Sequence, residues 1–153
     1  MNISFDLDNT LIPYSDEFKT EKRNWLAKYI GIEKIRKGTP NLIHSLQDQG
    51  HKVHIYTSSY RKKIKIRMTF KYYGIKIGKV VNEFENRCKL NQLGITSSKY
   101  PPAFDFNVHV DDSEGVRIES EKFNFKAIII ETNDTNWDKT IKNKIKNLEQ
   151  LNI

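Results

Sequence analysis

Two aspartates separated by one residue close the first apolar run of this chain, Ile3-Ser4-Phe5-Asp6-Leu7-Asp8-Asn9-Thr10-Leu11. Carboxylates in that spacing, at the carboxyl end of a strand, make a compact acidic pocket. Such a pocket can hold a divalent cation and present one carboxylate as a nucleophile. Two further chemical groups follow, the hydroxyl run Thr57-Ser58-Ser59 and the acidic pair Asp111-Asp112 before Ser113. These residue types suit phosphoryl transfer. Asp6 can attack phosphorus; Asp8 can protonate the leaving oxygen and then activate water. Thr57 offers a hydroxyl, and the amides after it, at a helix start, can hold phosphoryl oxygens. Converging carboxylates resist ionisation unless something neutralises them. Mg²⁺, which takes a few carboxylates plus water and phosphate oxygens, answers that need. A lysine would complete the site by neutralising the nucleophile and the phosphoryl group in transit.

These groups lie far apart in sequence, so the elements must assemble them. Alternation and run length predict strands at Asn2–Leu7, Lys52–Tyr56, Lys79–Val81, Phe106–Val110 and Ala127–Ile130. Helices are predicted over Asp16–Ile30, from Thr39-Pro40 to before Gly50, from Ser58 or Ser59 to Gly74, over Asn86–Leu93 closed by Gly94, and over Gly115–Phe123. Trp137, Ile141, Ile145 and Leu148 mark a last helical stripe. The helix before Gly74 carries two apolar stripes: Ile64, Met68, Tyr72 and Ile66, Phe70, Tyr73. One should face the sheet, the other a neighbouring helix or a partner subunit. Alternating strands and helices predict a doubly wound α/β fold with a mostly parallel sheet flanked by helices. Its active site would lie beyond the carboxyl ends of the strands, where Asp6 and Asp8, Thr57-Ser58-Ser59 and Asp111-Asp112 would all arrive.

The length of 153 residues predicts one domain, 1–153. No apolar run approaches the roughly 20 residues needed to cross a bilayer. Asp6 and Asp8 interrupt any signal-peptide reading of the N-terminus, so a cytoplasmic location is expected. The lone Cys88 excludes an internal disulfide and reads as a buried or half-buried structural thiol. The 26 lysines and arginines exceed the 19 acids by seven. That excess suits an anionic partner, but it reads as spread along the chain, which favours solvated lysines. The four histidines show no metal spacing and read as structural or surface residues. Arg61 stands apart from the neighbouring helix cations because it lies within one turn of Thr57.

Asp6-Leu7-Asp8-Asn9-Thr10-Leu11, Tyr56-Thr57-Ser58, a lysine before the last motif, and Val110-Asp111-Asp112-Ser113 resemble the four motifs of the haloacid dehalogenase-like superfamily. The resemblance implies a Mg²⁺-dependent phosphatase working through an aspartyl phosphate. Asp6 would be the nucleophile and a metal ligand. Asp8 would be the general acid/base, its backbone carbonyl also touching the metal. Thr10 would shape the nucleophile loop and contact the substrate, and Thr57 would hold the phosphoryl group. Apart from the resemblance, Ser58 and Arg61 read as further substrate contacts because they follow Thr57 closely. Asp111 and Asp112 would be the acidic pair, with Asp112 favoured as the direct ligand. Lys99, before Tyr100-Pro101-Pro102, is favoured as the active-site lysine over Lys89. The gaps from Asp8 to Thr57 and from Thr57 to Lys99 leave no room for a separate cap domain. The chain therefore resembles the capless group, whose open site accepts a macromolecule or is closed by a neighbouring subunit. Tyr14, Phe18 and Trp25 could wall the site, although core packing is the expected role of Trp25.

Two other readings stay open at this stage. One is a non-catalytic module that binds a phosphorylated ligand. The other is a phosphatase for nucleic-acid ends. Each motif also has a plainer reading, as a loop or helix cap.

Overall fold

The computed structural model describes residues 1–150; residues 151–153 of the expected domain lie outside the described residues. The elements are β1 (Asn2–Phe5), α1 (Trp25–Tyr29), α2 (Thr39–Asp48), β2 (Lys52–Tyr56), α3 (Lys63–Tyr72), β3 (Val80–Val81), α4 (Glu83–Leu93), β4 (Val108–Asp111), α5 (Glu114–Lys122), β5 (Ala127–Ile129) and α6 (Trp137–Gln150). All five strands are parallel, in the order β3-β2-β1-β4-β5. The chain builds outward from β1 through β2 to β3, then returns to the other side of β1 as β4. The crevice between β1 and β4 is therefore the switch point, where such sheets bind ligands. No helix among the described residues is long and apolar enough to cross a membrane.

The two faces of the sheet differ. Ile3 and Phe5, Val53 and Ile55, and Val108 and Val110 point to one face and join the main core with Leu42, Phe70 and Ile141. Burying each such side chain contributes about 1.5–3 kcal/mol. Period-two alternation sends Ser4, His54, Tyr56 and His109 to the other face, all buried. There the smaller cluster of Tyr56, Val81, Phe104 and Phe106 covers them. The file that leads to the acidic residues is thus polar from strand to strand.

His54 belongs to this second face. Its ring stacks on Phe106, with centroids 5.0 Å apart, and Nδ1 accepts a hydrogen bond from the Lys79 amide at 2.8 Å. Gly78 lets the chain pass, because a Cβ there would sit 2.5 Å from Nδ1. Burial, aided by Lys79 and Lys52, lowers the His54 pKa to about 4. The unfolded chain, with histidine near its ordinary 6.5, binds a proton that the folded chain refuses. Stability is therefore complete above about pH 6.5 and declines as the pH falls toward 4. Replacement by Gln should flatten that decline by up to about 3 kcal/mol, read from urea unfolding at pH 7 and pH 4.5. An unchanged acid loss in His54→Gln would remove His54 from the account.

Several expected elements shift. The helix expected over Asp16–Ile30 is only α1. The Glu21 amide donates to the Ile35 carbonyl and the Lys37 amide to the Lys19 carbonyl, so this stretch runs extended beside the chain that enters α2. Asn24 then caps the late helix by accepting from the Ala27 amide at 2.8 Å. In so short a helix only Ala27 is buried, and Trp25, expected in the core, is exposed. Cys88, expected buried or half-buried, is also exposed, because α4 turns Leu90 inward instead. Thr39 opens α2 as its first residue rather than its cap, with Oγ1 donating to the Arg36 carbonyl at 2.7 Å. Gly94 closes α4 in the left-handed conformation that glycine adopts without a Cβ penalty. In α3, Ile66 and Phe70 are buried, whereas Ile64, Met68 and Tyr72 are exposed and do not bury themselves on a neighbouring helix.

Candidate active site

Backbone geometry at the end of β1 comes first. The Asp6 amide donates to the Val110 carbonyl at 2.9 Å, so the sheet ladder holds Asp6 beside β4. The chain then coils tightly: the Leu11 and Ile12 amides both donate to the Leu7 carbonyl, and Asn9 donates to that of Ile12. Asn9 takes a φ of 56°, a left-handed conformation that asparagine tolerates better than most side chains. The coil turns Asp8 away from Asp6 and buries Thr10, whose Oγ1 donates to Asp112 at 3.0 Å.

Lys99 stands between the two strands. Its ammonium lies 2.7 Å from Asp6 and 2.6 Å from Asp111, and only 3% of the residue is exposed. Lys89 is placed elsewhere, in a surface depression with Lys79 and Cys88. Neighbours fix the Lys99 backbone from both sides. Tyr56 Oη accepts from the Tyr100 amide and donates to Asn86, whose side chain in turn donates to the Ser98 carbonyl. A short 3₁₀ turn, Pro101–Phe104, follows and stiffens the exit.

Asp111 is held from three sides. It accepts from Lys99, from His109 Nε2 at 3.0 Å and from the Ser113 amide at 2.9 Å. His109 Nδ1 accepts from Ser4 Oγ at 2.9 Å. A buried polar line therefore runs Ser4, His109, Asp111, Lys99, Asp6 across the sheet. The sequence reading of His109, a structural or surface residue, does not include this bond to Asp111. The signal that could have found it is period two, because residue 109 must share the face of residue 111.

The electrostatics follow from burial. Burial lifts the Asp6 carboxyl above its ordinary range and Asp111 adds to this, with Lys99 opposing. Burial works against Asp111 too, but His109 and Lys99 outweigh it and hold that carboxyl well below the usual range. Burial also raises Asp112, despite the Thr10 hydrogen bond. Burial would lower the Lys99 ammonium, but Asp6 and Asp111 more than compensate and raise it. One ammonium thus faces three carboxyls. Asp6, Asp111 and Asp112 each offer an oxygen within 4.8 Å of the others. Hard oxygen donors with more negative charge than one lysine can balance fit a divalent cation such as Mg²⁺. The Asp8 carboxylate lies outside this triad.

Asp8 instead meets Arg61, whose Nη1 is 2.8 Å from one carboxylate oxygen and 2.9 Å from the other. Arg61 Nε also reaches both oxygens of Glu33 at 3.0 Å. The expected cap by Ser58 or Ser59 is replaced by a loop, and α3 starts only at Lys63 after an Lys62 cap. Local hydrogen bonds compete with the helix here. The Ser59 amide donates to Thr57 Oγ1, and Ser59 Oγ accepts from both the Arg61 amide and its guanidinium. These bonds turn Arg61 back over the site. Thr57 is buried at the end of β2 and Ser58 is exposed. Glu33 is the partner that sequence reasoning missed; it has no sequence signal, being 28 residues from Arg61. Tyr14 is exposed near the mouth, where the Asp8 charge, more than burial, raises its hydroxyl pKa. Phe18 stacks on the Arg36 guanidinium at 4.4 Å.

No family model matches the chain, and no curated protein matches it. Among solved structures, one chain in the structure of a Pnkp1/Rnl/Hen1 complex is similar, with a TM-score of 0.55 and 12% identity. The match covers 87% of this chain and 46% of that one, so this chain spans under half the neighbour's length. That likeness shows the α/β fold alone. Fold and site together define a parallel-sheet α/β protein with a buried acidic triad, able to hold a metal ion, at the carboxyl edge of its sheet.

Proposed function

We propose that this chain, acting as a single domain, is a Mg²⁺-dependent phosphomonoester hydrolase of the haloacid dehalogenase-like type. The observation that carries the reading is the Lys99 ammonium, buried between Asp6 and Asp111 at the switch point with Asp112 beside them. A structural ion pair would not need a third carboxylate. A phosphoryl site needs both a cation to quiet the nucleophile and acids to hold a metal.

Asp6 attacks phosphorus, and the bond from phosphorus to the leaving oxygen breaks as Asp8 supplies its proton. Water then attacks the aspartyl phosphate, Asp8 takes the water proton, and inorganic phosphate leaves with Asp6 restored. Lys99 balances charge on Asp6 and on the phosphoryl oxygens. Thr57 and Ser58 cradle those oxygens. The anionic substrate draws Arg61 from Asp8, which frees Asp8 for proton transfer. Thr10 positions Asp112, the acid with fewer hydrogen bonds and the favoured direct ligand. Asp6, Asp112 and Asp111 would hold Mg²⁺, which supplies charge neutralisation and substrate orientation.

Metal removal tests this reading. Hydrolysis of an aryl phosphate should require Mg²⁺, fall to background in EDTA and return when Mg²⁺ is added back. Full turnover in EDTA, or none under any divalent cation, would sink it.

A further inference from the structure

Charge is not spread evenly once it is followed by position. Residues 22–82 hold fifteen lysines and arginines against two acids, Glu33 and Asp48, a net +13, while the rest of the chain nets −6. This corrects the even distribution expected above. The cationic stretch includes α1 and α3, which lie side by side. The Asn24 amide donates to Tyr72 Oη at 3.2 Å, the Glu33 amide to Thr69 Oγ1 at 3.3 Å, and Gly31 lies against the Lys65 stem. The side chains these two helices leave open are also apolar and aromatic. On α1, Trp25 is 79% exposed and Tyr29 84%, with Leu26 also exposed; on α3, Ile64 and Met68 are exposed. Among the described residues, Lys28, Lys62 and Lys65 have no carboxylate partner; Glu33 is taken by Arg61. At its upper end the face runs into Arg61 and thence Asp8.

We propose that the α1/α3 face is the docking platform for a single-stranded nucleic acid whose terminal phosphate enters the Asp6 site; this names the substrate class and rests on the hydrolase reading. Charge complementarity selects the occupant. A second copy packed symmetrically on this face would set cation against cation. Unpaired lysines interleaved with open aromatic rings match what a single strand offers, a phosphate backbone and stackable bases. Arg61 stands where the strand ends and the chemistry begins.

The test uses the full chain carrying Asp6→Asn, so that binding is read without turnover. The probe is a fluorescein-labelled oligothymidylate with a terminal phosphate, followed by anisotropy. Binding should weaken steeply with salt. Trp25→Ala and Tyr29→Ala should each lose about tenfold in affinity. Lys65→Glu should reduce the salt slope by about one or more. With Asp6 restored, each variant should hydrolyse an aryl phosphate at the parental rate. Salt-independent or absent binding, unaffected variants, or equal displacement by polyglutamate or anionic vesicles would overturn the platform. So would a dimer that Trp25→Ala dissolves. Oligonucleotide binding by a chain that hydrolyses no phosphate ester would instead uphold the platform and remove the hydrolase reading.

Discussion

Lys99→Met is expected to destabilise the fold by about 3–5 kcal/mol, the usual cost of removing one partner from a buried ion pair. Methionine fills a similar volume, so the loss is electrostatic rather than a cavity effect. Lys99 is 3% exposed, and its ammonium touches two carboxylates, Asp6 at 2.7 Å and Asp111 at 2.6 Å. Without it, two buried acids face each other with no cation between them. Asp111 keeps His109 and the Ser113 amide, so Asp6 takes the larger penalty. Its carboxyl, already raised by burial, rises further and protonates. Urea unfolding at pH 7 measures the loss. Saturating Mg²⁺ should recover part of it, because a divalent cation supplies the missing charge. A loss below about 1 kcal/mol would mean that water reaches the pair.

Asp6→Asn is expected to abolish phosphatase turnover, by about 10⁴-fold or more, while leaving the chain folded. Asparagine is nearly isosteric but offers no anionic oxygen to phosphorus. Lys99 retains Asp111, so no buried charge is stranded. The Asp6 amide keeps its hydrogen bond to Val110, so the loop keeps its course. Hydrolysis of an aryl phosphate at saturating Mg²⁺ is the readout, with the unfolding midpoint as control. Turnover within tenfold of the parent would remove Asp6 as nucleophile and shift attention to Asp8.

The strands were legible because period two and β-branched runs are local. Asp6, Asp8, Thr57 and Asp111 were legible as site candidates for the same reason: each ends or follows a recognisable strand. The helix at 16–30 was not legible. Its apolar residues allow a helix, but the pairing of residues 19–21 with 35–37 competes with it and wins. Trp25 then has no core to enter. The start of α3 failed similarly, because Ser59 satisfies the Arg61 backbone in a loop more readily than it caps a helix.

The sequence by itself determined the element order, the parallel α/β class and the residue types that could meet at the carboxyl edge, since propensity, alternation and turn chemistry act over a few residues. Tertiary structure alone decided the partnerships: Asp6 and Asp111 as the two acids that Lys99 joins, His109 and Ser4 behind Asp111, Glu33 on Arg61, and open aromatic and cationic side chains on α1 and α3. Such pairings depend on which distant groups share one buried, low-dielectric space. No local pattern encodes that, because the strength of each pairing arises only once packing has excluded water.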